Sequence, residues 1–273
     1  MSCKQHKSDI CFKGFNEYKI YIEVLSLNNL IIKKKMNKKI ILSSFASLLF
    51  LSQAANAEIK IGKGSLTFNA GINSQYISRG VDQNKDKVSP FVGADFTYPI
   101  SSINFYVGAW TGAQDNVTGA GGQERDYYLG INTTAGLATF DVGYASYNFP
   151  GAPTKDIKQY GEWYGKITLA PEKKPYTFGA AYYIDDTDGV KSGRQTLDKN
   201  YYEFNATYDF GPVQSQIIYG VLDNDTTTKT VSISKELATV NFTFSYINAE
   251  KESSVSNLDR NRDYFILSAK KTF

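Results

Sequence analysis

Between residues 66 and 273, segments of alternating apolar and polar residues are joined by connections that are long and short in turn. Such alternation over about 9–11 residues is typical of strands that cross a membrane at a tilt. In an antiparallel meander every second connection lies at the same end, so the long connections share one end. The twelve segments are residues 66–72, 92–98, 103–112, 124–133, 138–149, 159–170, 175–185, 200–210, 213–222, 228–235, 238–248 and 262–273.

Short and longer connections alternate along the whole chain. Short ones predict periplasmic turns, and long ones predict external loops, as in outer-membrane barrels. The pattern therefore predicts an all-β fold: one closed antiparallel transmembrane β-barrel of about 12 strands. The short connections are 99–102, 134–137, 171–174, 211–212 and 236–237; the longer ones are 79–89, 112–123, 150–158, 186–199, 223–228 and 249–261.

A secretory signal precedes the barrel. Lys38 and Lys39 form a basic region, residues 40–51 are an apolar run, and Ala55-Asn56-Ala57 is a small-x-small cleavage site. The run is shorter than the roughly 20 residues of a membrane-spanning helix. The stretch 36–57 therefore predicts a signal peptide rather than an anchor.

Cleavage is predicted between Ala57 and Glu58, which leaves residues 58–273 as the barrel domain. Residues 1–35 are interpreted either as an upstream start assigned too early or as a long extension of the basic region. The predicted location is the outer membrane of a Gram-negative bacterium, reached by export.

Removal of the leader changes the chemistry open to the chain. Cys3, Cys11 and His6 all lie in the leader, so residues 58–273 contain neither cysteine nor histidine. This excludes a disulfide framework, a thiolate nucleophile and a Cys/His zinc site. The full chain has a net charge of +3, but the excess of lysine lies in the leader. No basic surface indicates nucleic acid as a partner, and no cofactor is expected.

Carboxylates offer the remaining routes to catalysis or metal binding. Glu124 and Asp126 lie two residues apart on one strand face, where repulsion can raise one pKa. Without a histidine base, polar residues of a barrel interior are the better interpretation, and we expect no enzyme. Asp185, Asp186 and Asp188 offer calcium ligands but lack EF-hand spacing, which favours solvated loop acids.

The polar face of the strands defines a candidate lumen wall. Acidic residues outnumber basic ones on it, which predicts a modest preference for cations. Arg79, at the start of the first long loop, is expected either to bridge to Asp126 or Glu124 across the rim or to contact anions. Whether the aromatic members stack on sugars stays open. The pore-lining candidates are Arg79, Asp95, Tyr106, Trp110, Glu124, Asp126, Asp141, Glu162, Lys166, Glu203 and Asp209.

Several short motifs resemble the TorF-type porin family. They fall in consistent order between residues 76 and 164, and a serine common after the Trp-centred run is Gly112 here. The resemblance implies a barrel rather than a particular solute. The motifs are Tyr76-x-x-Arg79-Gly80-x-x-Gln83, Phe105-Tyr106-Val107-Gly108-Ala109-Trp110, Glu124-x-Asp126-Tyr127-Tyr128-x-Gly130, Asp141-x-Gly143-x-x-x-Tyr147-x-Phe149-Pro150-Gly151 and Tyr160-x-Glu162-x-Tyr164.

The sequence thus predicts a porin for passive diffusion of small hydrophilic solutes or ions. The alternative is a closed structural or adhesion barrel that acts through its external loops. Terminal Phe273 resembles the insertion signal of outer-membrane barrels, although Lys271 interrupts the apolar series before it. The expected partners are outer-membrane lipid and lipopolysaccharide, the barrel-assembly machinery through the last strand, and the solutes themselves.

Overall fold

The computed structural model describes residues 58–115, 122–152, 159–186, 200–223, 226–251 and 261–273. The described chain is all β-strand and turn. In chain order the strands are β1 Ile59–Ile61, β2 Gly64–Asn73, β3 Ile77–Ser78, β4 Val81–Asp82, β5 Ser89–Ile100, β6 Ile103–Ala113, β7 Gln123–Ala135, β8 Ala138–Asn148, β9 Gln159–Leu169, β10 Tyr176–Asp185, β11 Tyr201–Asp209, β12 Gln214–Leu222, β13 Thr226–Leu237, β14 Val240–Lys251 and β15 Asn261–Thr272. Within these ranges no helix has the length and hydropathy of a membrane span.

Twelve of the strands close an antiparallel barrel, which confirms the predicted fold. β2 pairs with β5, each strand from β5 to β14 pairs with the next one along the chain, and β15 pairs with β2. The closing seam pairs Ser268 with Asn73 and Thr272 with Asn69. Closure leaves no sheet edge along the seam, so backbone groups are satisfied between strands. The short β1 forms a hairpin with the start of β2.

Period-two alternation sorts the side chains between the two faces of the barrel wall. Val107, Leu129, Trp163 and Phe265 are exposed on the outer face, the last with 62% of its surface accessible. Alternate positions point inward, where most side chains are polar or aromatic. An apolar outside and a polar inside are what a barrel needs when its surroundings are lipid and its interior is aqueous.

Three strands lie outside the predicted set. β1 is a terminal addition, whereas β3 and β4 form a two-stranded unit within the first long connection. β4 belongs to the polar stretch 79–89, which was expected to be an external loop, and β3 directly precedes that stretch. This small hairpin is the part of the fold that positions the candidate site.

The turn between β13 and β14 differs from the prediction. Glu236 and Leu237 end β13, and the turn is formed by Ala238 and Thr239 at φ values of 48° and 67°. A two-residue hairpin of type I′ needs positive φ at both central positions, which Asn-Gly usually supplies. Because neither residue is present, the sequence carries no signal for the turn's position.

Replacement of Thr239 by glycine is expected to stabilise the barrel. A β-branched residue in the left-handed region is strained, at roughly 1–2 kcal/mol. Part of that gain is lost to the added freedom of the unfolded chain, so we expect a rise of about 0.5–1 kcal/mol in the free energy of unfolding. Denaturant titration in lipid vesicles measures it. Thr243→Gly, inside β14, is the control and should lower stability; equal effects at both sites would contradict the strain argument.

Candidate functional site: a hairpin inside the barrel

Residues 76–83 fold into the barrel as a short hairpin, here called the inner hairpin. Its strands are β3 and β4, and the backbone nitrogen of Gln83 donates to the carbonyl of Tyr76 at 2.7 Å. Arg79 and Gly80 form the tip, with φ values of 48° and 80°. Glycine adopts this conformation freely, but an arginine held there is strained, which is common where a side chain must be aimed precisely.

Arg79 is aimed at the far wall. Its Nη1 and Nη2 donate to Oε1 and Oε2 of Glu162 at 2.5 and 2.7 Å, a bidentate ion pair between residues 83 positions apart. Its guanidinium also lies over the rings of Tyr201, at 4.5 Å, and Tyr183, at 5.0 Å. Planar guanidinium groups suit both bidentate pairing and stacking on aromatic faces.

The surroundings keep this ion pair charged. Glu162 is buried, with 2% of its surface exposed. Burial alone lowers the pKa of Arg79, but the hydrogen bonds and the charge of Glu162 outweigh it and hold that pKa above its ordinary value. A buried carboxylate that loses such a partner is costly to leave uncompensated. The pair therefore ties the hairpin tip firmly to β9.

The opposite side of the hairpin packs against β13 to β15. Ile77 lies against an apolar cluster of Ala249, Tyr264, Ile266 and Ile247. The hydroxyl of Tyr264 donates to the carbonyl of Gly80 at 3.4 Å. The inner hairpin therefore contacts two separated parts of the wall, one apolar and one charged.

The root of the hairpin is fixed by polar contacts. The Tyr76 hydroxyl donates to Oε1 of Glu124 at 3.3 Å, and its ring lies 5.6 Å from that of Trp110. Burial, with the nearby charges of Glu124 and Asp126, raises the pKa of Tyr76 well above its ordinary value. Tyr76 therefore remains a neutral donor.

The strand register places the candidate wall residues on one face, opposite the exposed apolar residues. Their partners across the strands are as follows: Asp95 lies opposite Gly108, Trp110 opposite Asp126, Glu124 opposite Gly112, Tyr106 opposite Gly130, Asp141 opposite Lys166, Glu162 opposite Ala145, Glu203 opposite Gly220 and Asp209 opposite Gln214. That these side chains line a conducting path stays a prediction.

The expected partner of Arg79 was wrong. It was placed at the rim with Asp126 or Glu124, whereas it pairs with Glu162 inside the barrel. The reason is that the first connection turns inward, which carries Arg79 past the strands nearest in sequence. Glu124 instead accepts from Tyr76.

Phenols orient several of the wall carboxylates, which sequence reasoning missed. The Tyr106 hydroxyl donates to Oδ1 of Asp141 at 2.5 Å, and that of Tyr201 to Oε2 of Glu203 at 3.1 Å. Tyr128 donates likewise to Asp95. The inward parity of these tyrosines was visible in the sequence, but their pairing depends on register. The arrangement gives a wall of acceptor groups whose orientation is fixed by phenols.

Lys166 is the basic residue in the middle of this wall. Its Nζ lies 4.3 Å from the ring centre of Tyr164 and 5.6 Å from that of Tyr183. Arg262 and Lys270 also take inward positions in the register, opposite Ala249 and Asn241. Arg262 is engaged at the hairpin root with Asp86, at 3.0 Å.

Several predicted features fall outside the described residues. Ala57 is among them, so the predicted cleavage site stays a prediction, and the described chain begins at Glu58. Asp188 of the calcium alternative is outside as well. In the described ranges, no three His, Cys, Asp or Glu side chains are grouped to hold a metal ion.

Comparisons with known proteins place the chain among barrels of this type. The Gcw_chp family model, described as a bacterial protein of unknown function, matches residues 60–255. No curated protein sequence matches. The resemblance to TorF-type porins is thus supported only as far as a porin-like barrel, and not for that family in particular.

Solved porin structures are among those similar to this chain, at low sequence identity. A structure titled KdgM porin superposes with a TM-score of 0.52 at 7% identity, over 76% of this chain and 99% of that one. Pseudomonas aeruginosa OpdQ gives 0.42 at 13%, over 79% and 67%. A mutant of the Rh. blastica porin gives 0.40 at 13%, over 67% of this chain and 55% of that one. At these identities the first match supports the fold alone.

Proposed function

This chain belongs to the Gcw_chp family of bacterial proteins, whose function is unknown, and we propose that it is an outer-membrane porin for passive diffusion of small hydrophilic solutes or ions. The observation that carries the proposal is the closed twelve-stranded wall with a polar inner face and an apolar outer face. A barrel of this kind satisfies its backbone in lipid and leaves its interior for water.

The orientation follows from the two ends. Both described termini, Glu58 and Phe273, lie at the end with the tight turns, such as Ser101–Ser102 and Ala238–Thr239. In outer-membrane barrels that end faces the periplasm. The outer surface would then contact membrane lipid, with lipopolysaccharide around the long connections, and β15 would be the strand read by the assembly machinery.

A modest preference for cations is the finer part of the proposal. Inward carboxylates outnumber inward lysines and arginines in the described strands, and Arg79 is neutralised by Glu162. A wall with excess negative charge favours cations in an aqueous constriction. Lys166 opposes this locally, so the preference should be weak.

Glu203→Gln is expected to reduce that preference. Glu203 faces inward, near Arg79's aromatic partners, and its loss removes one negative charge from the wall. The measurement is the reversal potential of single channels of residues 58–273 in a planar bilayer under a KCl gradient. The control is Glu172→Gln in the exposed turn between β9 and β10, where the side chain is 87% accessible. Current with a reversal potential favouring anions would refute the cation preference and leave the porin intact.

A closed barrel acting through its external loops is the second candidate, and one observation favours it. The inner hairpin contacts the wall on both sides, through Glu162 and through the cluster around Tyr264. A folded barrel that passes neither current in bilayers nor small sugars into liposomes would refute the porin proposal in favour of this one.

A further inference from the structure

The inner hairpin reaches strands around most of the barrel. Tyr76 contacts β6 and β7, Arg79 contacts β9, β10 and β11, and Ile77 with Gly80 contacts β13, β14 and β15. A route through the lumen must therefore pass beside this element.

Two of the contacts that hold it there differ in strength. The apolar cluster is small, and Ile77 is only partly buried against it. The Arg79–Glu162 pair is bidentate, buried and reinforced by two aromatic rings. Buried ion pairs with this geometry fix an arrangement strongly, because losing one partner leaves an uncompensated charge. The Arg79–Glu162 pair at the tip is thus the stronger of these two contacts.

We propose that the inner hairpin is the conductance-limiting element of the barrel, and that Arg79 is the positioning residue that holds it across the lumen through Glu162. The proposal rests on the proposed porin function. When the pair is broken, the hairpin leaves the β9–β11 wall and the path widens on that side. Arg79 acts through the place it gives the hairpin, rather than through the charge it presents to solutes.

Neutralising Arg79 and Glu162 in separate variants distinguishes an effect of the hairpin's position from an effect of the charge in the lumen. Arg79→Gln and Glu162→Gln alter the local charge in opposite directions, but both break the same pair. A positioning role predicts that both raise the occupancy of a larger-conductance state, by about tenfold, equivalent to about 1.4 kcal/mol. The double variant should add little to the larger single effect, since the interaction is already lost.

The experiment is single-channel recording of the wild type, both single variants and the double variant. Arg79→Lys is included because it keeps the charge without the bidentate fork, and it should give an intermediate occupancy. A further variant replaces residues 77–82 by two glycines, since the backbone hydrogen bond between Gln83 and Tyr76 already holds the two ends of that segment together. Lys229→Gln is the control, since it breaks an exposed pair with Glu250 on the outer face of the barrel, and such pairs contribute little.

The outcomes distinguish this inference from the proposed function. Wild-type conductance in folded Arg79 and Glu162 variants, or opposite changes in the two, would overturn the inference and leave the porin standing. A silent wild type with a conducting hairpin-replaced barrel would support the inference. Silence of both, with heat-modifiable mobility showing folded barrels, would overturn the proposed function and this inference with it.

Discussion

Gly80→Val is expected to displace the inner hairpin from the side opposite Arg79 and to enlarge the conducting path strongly. Gly80 has a φ of +80°, and a Cβ built on it lies 2.7 Å from Cγ2 of Thr228, 2.8 Å from Cγ2 of Thr226 and 3.0 Å from Cβ of Ala249. The left-handed conformation costs an L-residue roughly 1–2 kcal/mol, and overpacking costs about 1–3 kcal/mol. Together these penalties favour the displaced hairpin by a larger factor than loss of the ion pair alone.

Gly136→Val provides the matched control for that substitution. Gly136 also has a positive φ, +61°, but nothing lies within 4 Å of a Cβ built there. It therefore carries the backbone strain without the crowding against a wall. Both variants should lose stability in denaturant titration, while only Gly80→Val should raise single-channel conductance. Equal conductance in the two would show that the Gly80 contacts do not hold the hairpin.

The barrel was predictable because its constraints are local. Period-two alternation fixes which side chains share a face, and a meander fixes which strands pair, so Glu162, Asp141 and Glu203 could be assigned to one wall from sequence alone. Each assignment needs only a few neighbouring residues. Register errors of two residues, as at Ala238 and Thr239, leave the faces unchanged.

The inner hairpin was not predictable for the opposite reason. Its strands are two residues each, too short to show a period, and its sequence is that of an ordinary polar loop. Arg79 and Glu162 were both candidates for the wall, but their pairing joins residues 83 positions apart across the barrel. No local rule specifies such a contact, and without it Arg79 was assigned to Asp126 or Glu124 at the rim.

The last strand, β15, has features that local sequence patterns predict and others that depend on contacts distant in sequence. Its alternation predicted the outward positions, but the register of the pairing that closes the barrel comes only from the structure. The backbone nitrogen of Phe273 donates to the carbonyl of Phe68 at 2.7 Å, and that of Phe68 donates back at 3.1 Å. The final residue thus completes the ladder between β15 and β2. Its ring also lies beside Lys271, whose Nζ is 5.2 Å from the ring centre.

Deletion of Phe273 is expected to remove most folded barrel from the outer membrane. It eliminates the last pair of seam hydrogen bonds, each worth about 1 kcal/mol net, together with the terminal aromatic ring proposed as the assembly signal. Phe273→Ala keeps the backbone pair and loses only the ring. If the ring is the signal, Phe273→Ala should reduce the folded fraction almost as far as the deletion does.

Phe265→Ala is the matched control, because Phe265 lies in β15, an even number of positions before Phe273, and its ring is exposed on the outer face. The measurement is the heat-modifiable fraction in isolated outer membranes at equal expression. A fall in this fraction that is confined to the Phe273 variants supports a terminal signal, since Phe273→Ala and Phe265→Ala each remove one phenyl ring. Alternatively, Phe273→Ala and Phe265→Ala could reduce the folded fraction equally while deletion of Phe273 reduces it much further. The role of the last residue would then be to close the seam, because the deletion and Phe273→Ala differ only in the backbone of residue 273.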